Sequence, residues 1–281
     1  MNVYSVQFQY FKKIYCILFI LLVSISVHAQ YEPYTEIGLA GGTSYYLGDL
    51  NKSHFDYSQV AGGLVIRKNI DRRISYKAEL LLLQIRGDDR RKDNDTVALS
   101  RQLHFKTPIH ELSGQIEFNF LPYEIGNPLY TWTPFLFTGV SIFHFNPKAE
   151  SKNGKWVALQ PLGTEGQGTT AVPDLKKYPL IQFSIPMGGG IKIAVNEYFN
   201  IILEYGIRKT FTDYVDDVST LYPGSAVLIQ ENGVLSDEMS DPTGIQIAQK
   251  ERGDDTRKDW YSFAGITLSF KLANNTIGCD Y

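Results

Sequence analysis

The feature that most restricts the fold is the segment Glu111–Phe120, in which apolar and polar residues strictly alternate. Leu112 and Phe118 belong to the apolar set, and Glu111 and Glu117 belong to the polar set. Successive side chains of a β-strand point to opposite faces, so an alternation of period two indicates a strand with one apolar and one polar face. The segment is therefore predicted to be a half-buried strand.

Seven other segments show the same pattern less clearly. One of them is apolar on both faces, which leaves its orientation undecided, and a proline inside another is expected at a bulge or a strand end. The eight predicted strands are Glu36–Tyr46, Gln59–Lys68, Ile74–Ile85, Glu111–Phe120, Thr133–Phe145, Ile181–Ile191, Phe199–Lys209 and Trp260–Leu272.

The connections between these strands alternate in length, which places all long loops at one end of a meander and all shorter turns at the other. Outer-membrane barrels have this organisation, with an even strand number and long extracellular loops. We therefore predict an all-β fold, an eight-stranded antiparallel up-and-down transmembrane β-barrel with short periplasmic turns. The predicted long loops are Leu47–Ser58, Arg86–Pro108, Asn146–Leu180 and Thr210–Lys258, and the shorter turns are Asn69–Arg73, Leu121–Thr131 and Val195–Tyr198.

Aromatic residues cluster at both strand ends, as expected for the two girdles of a membrane barrel. The alternative is a soluble barrel of lipocalin type, which would turn its apolar face inward, and the alternation alone does not decide between them. The short-turn set is Tyr76, Phe118, Phe120, Trp132, Phe135, Tyr198, Phe199 and Phe270, and the long-loop set is Tyr45, Tyr46, Phe145, Phe211, Trp260 and Tyr261.

The N-terminus resembles a secretory signal peptide. Lys12 and Lys13 precede the apolar stretch Ile14–Val27, which leads into the small-residue cleavage site at Ala29. This arrangement is typical of a cleaved export signal. We predict a signal peptide over 1–29, a barrel over 30–272, a periplasmic tail over 273–281 and a location in the outer membrane of a Gram-negative cell. Cys279 would then be the only cysteine of the mature chain and a candidate periplasmic contact.

If the apolar face meets lipid, the charged residues of the polar face point into the barrel. Eight strands enclose a space that side chains fill, and buried charges persist when they are paired. We expect an internal salt-bridged plug rather than a pore or a proton path. Its predicted members are Glu36, Arg67, Lys77, Glu79, Glu111, Glu117, Lys192, Glu204 and Arg208.

The search for catalytic, metal and cofactor sites yields weak candidates. His144 lies in a predicted strand without a serine two residues away, so we interpret it as a rim histidine and not as part of a hydrolase triad. The acidic segments 87–95 and 212–217 lack the spacing of a calcium loop and are expected to be solvated loops. With 27 basic and 30 acidic residues, the chain lacks the basic excess of a nucleic-acid-binding protein. We assign no cofactor and no enzymatic activity.

Several strings in a fixed order resemble the DUF6089 outer-membrane barrels of the Bacteroidetes, whose described member is the PorG component of the type IX secretion system. The resemblance covers nearly all of the mature chain. The strings are EIGLAGG at 36–42, YYLGDLN at 45–51, RGDD at 86–89, ELS at 111–113, EFNFLPY at 117–123, FNPKA at 145–149 and RKTFTDYVDDVS at 208–219.

This resemblance implies a non-enzymatic barrel that ties a periplasmic ring of the protein-transport machinery to the outer membrane. Its implied partners are outer-membrane lipid and the ring lipoproteins, without nucleic acid. Two alternatives stay open from the sequence. One is a surface barrel whose long loops bind an external ligand or mediate adhesion, and the other is an outer-membrane lipid hydrolase.

Overall fold

The structure is a computed structural model that describes residues 31–92 and 95–272. The predicted signal peptide, the tail and Cys279 lie outside this part of the chain. Two short strands, β6 (Lys148–Glu150) and β7 (Trp156–Ala158), form a hairpin within one connection. The eight barrel strands are β1 (Tyr34–Leu47), β2 (Gln59–Asn69), β3 (Ile74–Asp88), β4 (His104–Asn119), β5 (Trp132–Phe145), β8 (Ile181–Ala194), β9 (Phe199–Thr210) and β10 (Trp260–Lys271).

The eight strands close into a barrel in which every neighbour is antiparallel. Consecutive barrel strands pair in chain order, and β1 then pairs with β10 from Glu36 opposite Lys271 to Leu47 opposite Trp260. No sheet edge is therefore left open along the barrel wall. The predicted all-β, eight-stranded antiparallel barrel is confirmed.

The polar face of the strands points into the barrel. On β4, Glu111 and Glu117 are fully buried, whereas Leu112 is 56% exposed, and Val140 on β5 is 69% exposed. A lipocalin-type barrel would have the opposite orientation. The apolar outer wall includes Leu39, Leu64, Leu80, Leu82, Leu112, Leu136, Val140, Phe183, Leu203 and Leu268.

The strand that is apolar on both faces, β5, turns its phenylalanines inward. Phe135 and Phe137 are buried in the lumen. Glycines of β8 and β9 make room for the Phe137 ring, because a Cβ at Gly206 would lie 2.5 Å from its Cζ and one at Gly188 would lie 2.8 Å away. The glycine-rich run of β8 is thus a packing feature of the wall.

The predicted loop Arg86–Pro108 is wrong at both ends. β3 and β4 continue as a paired hairpin, with Ile85 opposite Thr107 and Asp88 opposite His104. The hairpin extends because its inner face buries apolar side chains, Phe105 among them. The outer face carries charged residues, which hid the strand pattern in the sequence.

The expected aromatic girdle at the long-loop end is wrong for three of its six residues. Tyr46, Phe145 and Tyr261 are buried in the apolar cluster inside the barrel, because the long connections fold over this end. Tyr45 is on the outer face, where Phe55 packs against it with ring centroids 4.9 Å apart, and Phe211 is 57% exposed. At the short-turn end, Phe135 also points inward. The short-turn aromatics that are exposed are Tyr76, Phe118, Phe120, Trp132, Tyr198 and Phe270.

The long connections contain short helical segments. An α-helix over Thr96–Arg101 begins at Asp95, whose side chain accepts hydrogen bonds from two backbone amides. Within the described residues, no helix is long and apolar enough to cross a membrane. The other segments are 3-10 helices over Asp89–Arg91 and Gln160–Leu162, an α-helical turn over Ser225–Val227, a π-helix over Leu228–Asn232 and an α-helix over Val234–Ser240.

Candidate functional site

The centre of the lumen is organised around one carboxylate, Glu117 of β4. Arg67 of β2 contacts it with two nitrogens, with Nε 2.8 Å from Oε2 and a terminal nitrogen 3.2 Å from Oε1. Lys192 Nζ lies 2.6 Å from the same carboxylate, and Lys77 Nζ lies 3.9 Å away. Three cations from three strands therefore surround one buried anion.

Towards the short turns, Arg67 also pairs with Glu36. The distance from the guanidinium to Glu36 Oε2 is 3.1 Å. Glu36 accepts further hydrogen bonds from Asn69 at 2.6 Å, Asn200 at 3.1 Å and Ser269 at 2.9 Å. Its buried charge is thus satisfied by several donors.

Towards the long loops, the contacts continue through Lys77 and Arg208. Lys77 Nζ lies 2.8 Å from Glu204 and 3.4 Å from Glu79. Arg208 lies 3.6 Å from Glu79 and 3.2 Å from Glu111. The structure thus joins all nine residues of the predicted interior set into one lumen network of four cations and five carboxylates.

A floor, defined here as residues 120–131, covers the short-turn end of the lumen. Tyr123 is 1% exposed, and its hydroxyl accepts a hydrogen bond from Asn200 at 3.0 Å. Ile125 is also buried, and its amide donates to the hydroxyl of Tyr34. The sequence indicated only a connection of medium length, because insertion of a loop side chain into a barrel leaves no periodic pattern.

The outer surface of the floor continues onto the neighbouring turns. Arg72 in the β2–β3 turn pairs with Glu124 at 2.8 Å, and Gly126 packs over Glu197 of the β8–β9 turn. Leu129 at the tip is 81% exposed. The floor and the two turns 70–73 and 195–198 together form a surface that we call the platform.

A cover made of the long connections closes the other end of the barrel. Arg101 bonds Asp89 at 2.7 Å, the carbonyl of Arg252 at 2.7 Å and the carbonyl of Asp49 at 3.0 Å. Arg252 in turn pairs with Glu165 at 3.0 Å. Two arginines therefore link all four long connections into one layer.

The acidic segment 212–217 is buried in this cover, so the expectation of a solvated loop is wrong. Thr164 and Tyr178 both donate hydrogen bonds to Asp217, and the Ser219 hydroxyl donates to Asp213. Burial raises the pKa of Asp217 to about 6, against the opposing effect of Arg252. Burial likewise raises the pKa of Asp213 to about 7.

Two further buried carboxylates of the cover, Asp216 and Asp259, contact a single phenol. The Tyr46 hydroxyl contacts Asp216 and lies 2.9 Å from Asp259. One hydroxyl supplies one proton and donates it to one carboxylate, so a hydrogen bond to the second carboxyl group requires a proton on that group. Burial and their mutual repulsion raise the pKa of Asp216, and burial with the nearby Asp213 raises that of Asp259.

The remaining candidates from the sequence are His144 and a metal site. His144 points outward and stacks on His110 with ring centroids 5.9 Å apart. No group of three His, Cys, Asp or Glu side chains in 31–92 and 95–272 could hold a metal ion. An open cleft of about 400 Å³ lies among the long connections, lined in part by Asp49, Lys52, His54, Asp254 and Arg257.

A closed barrel with an apolar outer wall and a charged lumen is an outer-membrane β-barrel in its fold. Residues 12–158, just over half of the chain, match the family described as domain of unknown function DUF6089. The protein belongs to this family. No curated protein matches it significantly in sequence.

Three solved structures illustrate the distant structural similarity. The attachment invasion locus protein Ail of Yersinia pestis aligns with a TM-score of 0.41 and 8% identity, over 86% of this chain and 100% of Ail. OprG of Pseudomonas aeruginosa aligns with a TM-score of 0.40 and 10% identity, over 85% of this chain and 97% of OprG. Neisserial surface protein A aligns with a TM-score of 0.37 and 7% identity, over 85% of this chain and 97% of its own chain.

Proposed function

We propose that this protein resides in the outer membrane and acts there as a non-enzymatic anchor. In this role it holds periplasmic ring lipoproteins of the type IX protein secretion machinery to the membrane, as the resemblance to PorG implies. The long loops would then face the cell exterior, and the platform would face the periplasm.

The observation that carries this proposal is the closure of the lumen at both ends and along its centre. The floor inserts Tyr123 from one side, the cover lies over the other, and the lumen network fills the space between them. A barrel filled in this way provides no route for cargo through the lumen. We therefore place its function in contacts that its outer surfaces make with other molecules.

The platform is suited to binding a partner because its backbone is held in place by hydrogen bonds while apolar side chains on it are exposed. Its backbone is tied to the barrel, since the Phe120 amide donates to the Pro134 carbonyl of β5 at 3.0 Å and the Ala194 amide of β8 donates to the Thr131 carbonyl at 2.7 Å. Leu129 and Val195 nevertheless remain exposed. An exposed apolar group on a rigid surface is typical of a protein contact.

A deletion strain complemented with point variants tests the proposal. Leu129→Asp should reduce export of secreted cargo without lowering the amount of barrel in the outer membrane. Ile247→Asp is the matched control, because Ile247 is similarly exposed at the long-loop end. Normal export in the deletion strain would refute the anchor role.

A second candidate is a surface barrel whose loops bind an external ligand. The cleft beside Lys52 and Arg257 favours it, because several charged side chains line one opening there. Replacing residues 48–58 with a short turn would abolish function under this alternative, whereas export would persist under the anchor role.

A further inference from the structure

We propose that a row of three basic residues on the outer face of the β3–β4 hairpin binds the phosphorylated headgroup of an anionic glycolipid in the outer leaflet. The row consists of Arg86, Lys106 and Lys148, and we call it the basic row. The proposal rests on the outer-membrane location and on the orientation given above.

Strand register places the three residues side by side. Arg86 of β3 lies opposite Lys106 of β4, and Lys106 lies opposite Lys148 of β6. Their chain neighbours Phe105 and Ala149 are buried, so the basic side chains occupy the outer face. Like charges directly opposite each other destabilise a sheet, and an anion bound across the row would remove this cost.

The positive charge of this face exceeds its negative charge. Asp88 is shared by Arg86 at 3.2 Å and Arg90 at 2.8 Å. In the described part of the chain, neither Lys106 nor Lys148 has a carboxylate within 4.0 Å; Lys106 Nζ instead lies 3.6 Å from the centre of the Trp156 ring. The whole chain has a net charge of −3, but this face carries more cations than carboxylates. Its four cations are Arg86, Arg90, Lys106 and Lys148, and its two carboxylates are Asp88 and Glu150.

The height of the basic row favours a glycolipid over a phospholipid. Leu82 is an exposed residue of the apolar wall and lies opposite His110 of β4. It precedes Arg86 by four residues on β3, so we take it as the edge of the apolar wall below the basic row. Four residues span about 13 Å along a strand, or about 10 Å along the axis of a tilted barrel. The headgroup layer of a phospholipid is only about 5–7 Å thick on each side. A sugar headgroup that carries phosphates extends to the level of the row.

The site is tested with the full barrel folded in detergent and titrated with bisphosphorylated lipid A. We compare the wild type with Lys106→Gln/Lys148→Gln. The control is Lys176→Gln/Lys177→Gln, which removes the same charge from exposed positions of the β5–β8 connection. Binding is measured by native mass spectrometry, and the thermal midpoint is recorded with and without lipid.

The double variant should bind lipid A roughly 30-fold more weakly than the wild type, given the usual contribution of each basic residue at an anionic surface. Without lipid, its midpoint should equal or exceed that of the wild type, because the repulsion is relieved. The control should match the wild type, and dephosphorylated lipid A should bind all three proteins equally weakly.

Equal lipid A affinity of the wild type and the Lys106/Lys148 variant would overturn the proposal. Equal weakening in the control would overturn it as well, because binding would then follow net charge alone. Neither outcome bears on the anchor role, since the platform at the opposite end of the barrel is unchanged.

Discussion

Arg67 of β2 and Glu117 of β4 form a two-point ion pair inside the barrel, with contacts of 2.8 and 3.2 Å and both side chains fully buried. The two strands are not neighbours, because β3 lies between them. The pair therefore bridges the inner face of β3 and links two strands that share no backbone hydrogen bonds.

Neutralising Glu117 should be strongly destabilising. Glu117→Gln leaves Arg67 and Lys192 without their shared carboxylate, and breaking a buried pair costs about 3–5 kcal/mol. Urea unfolding in micelles measures this loss. Glu124→Gln is the control, because it breaks the partly exposed pair with Arg72, which is expected to cost at most about 1 kcal/mol. Equal losses would contradict the central position of Glu117.

The cover should lose stability as the pH rises. Asp217 and Asp213 have pKa values of about 6 and about 7 in the folded protein, above the value of about 3.9 in an unfolded chain. The folded state therefore binds protons more tightly. The stabilisation is complete below about pH 4 and is lost as the pH rises through the folded values. Proteolysis of the β9–β10 connection should be faster at pH 8 than at pH 5, and the reverse order would refute the prediction.

The carboxyl proton that the contacts of Tyr46 require predicts how Asp216→Asn affects stability. Asp216→Asn removes a buried carboxyl group but keeps a group that can hydrogen-bond the phenol. The variant should be at least as stable as the wild type at pH 8 and should show a weaker dependence on pH. Asp255→Asn alters an exposed carboxylate of the same connection and should leave the pH profile unchanged. Thermal midpoints at several pH values provide the comparison.

Two wall glycines should respond differently to enlargement. Gly206→Ala places a methyl group 2.5 Å from the Phe137 ring inside the lumen, and such overpacking costs about 1–3 kcal/mol. At Gly114, nothing lies within 4 Å of an added Cβ, so Gly114→Ala should change the free energy of unfolding by at most about 0.5 kcal/mol. Urea titration of both variants in the same micelles tests the difference.

The strands could be predicted because each keeps one lipid-facing and one internal side, a local constraint that the sequence records directly. The alternation predicts that Glu111 and Glu117 share one face of their strand, and the outer-membrane interpretation places that face inside the barrel. The floor could not be predicted, since insertion of Tyr123 depends on Asn200, which is distant in sequence. The burial of Asp217 likewise depends on Arg252 and Tyr178, which lie on other parts of the long connections.

Site-specific photo-cross-linking in living cells tests the anchor role most directly. A photoreactive residue is placed at Leu129 of the platform and, in a separate strain, at Ile247 of the cover. The anchor role predicts an adduct between position 129 and a periplasmic ring lipoprotein, and no such adduct from position 247. Adducts formed only from position 247, with none from position 129, would contradict it.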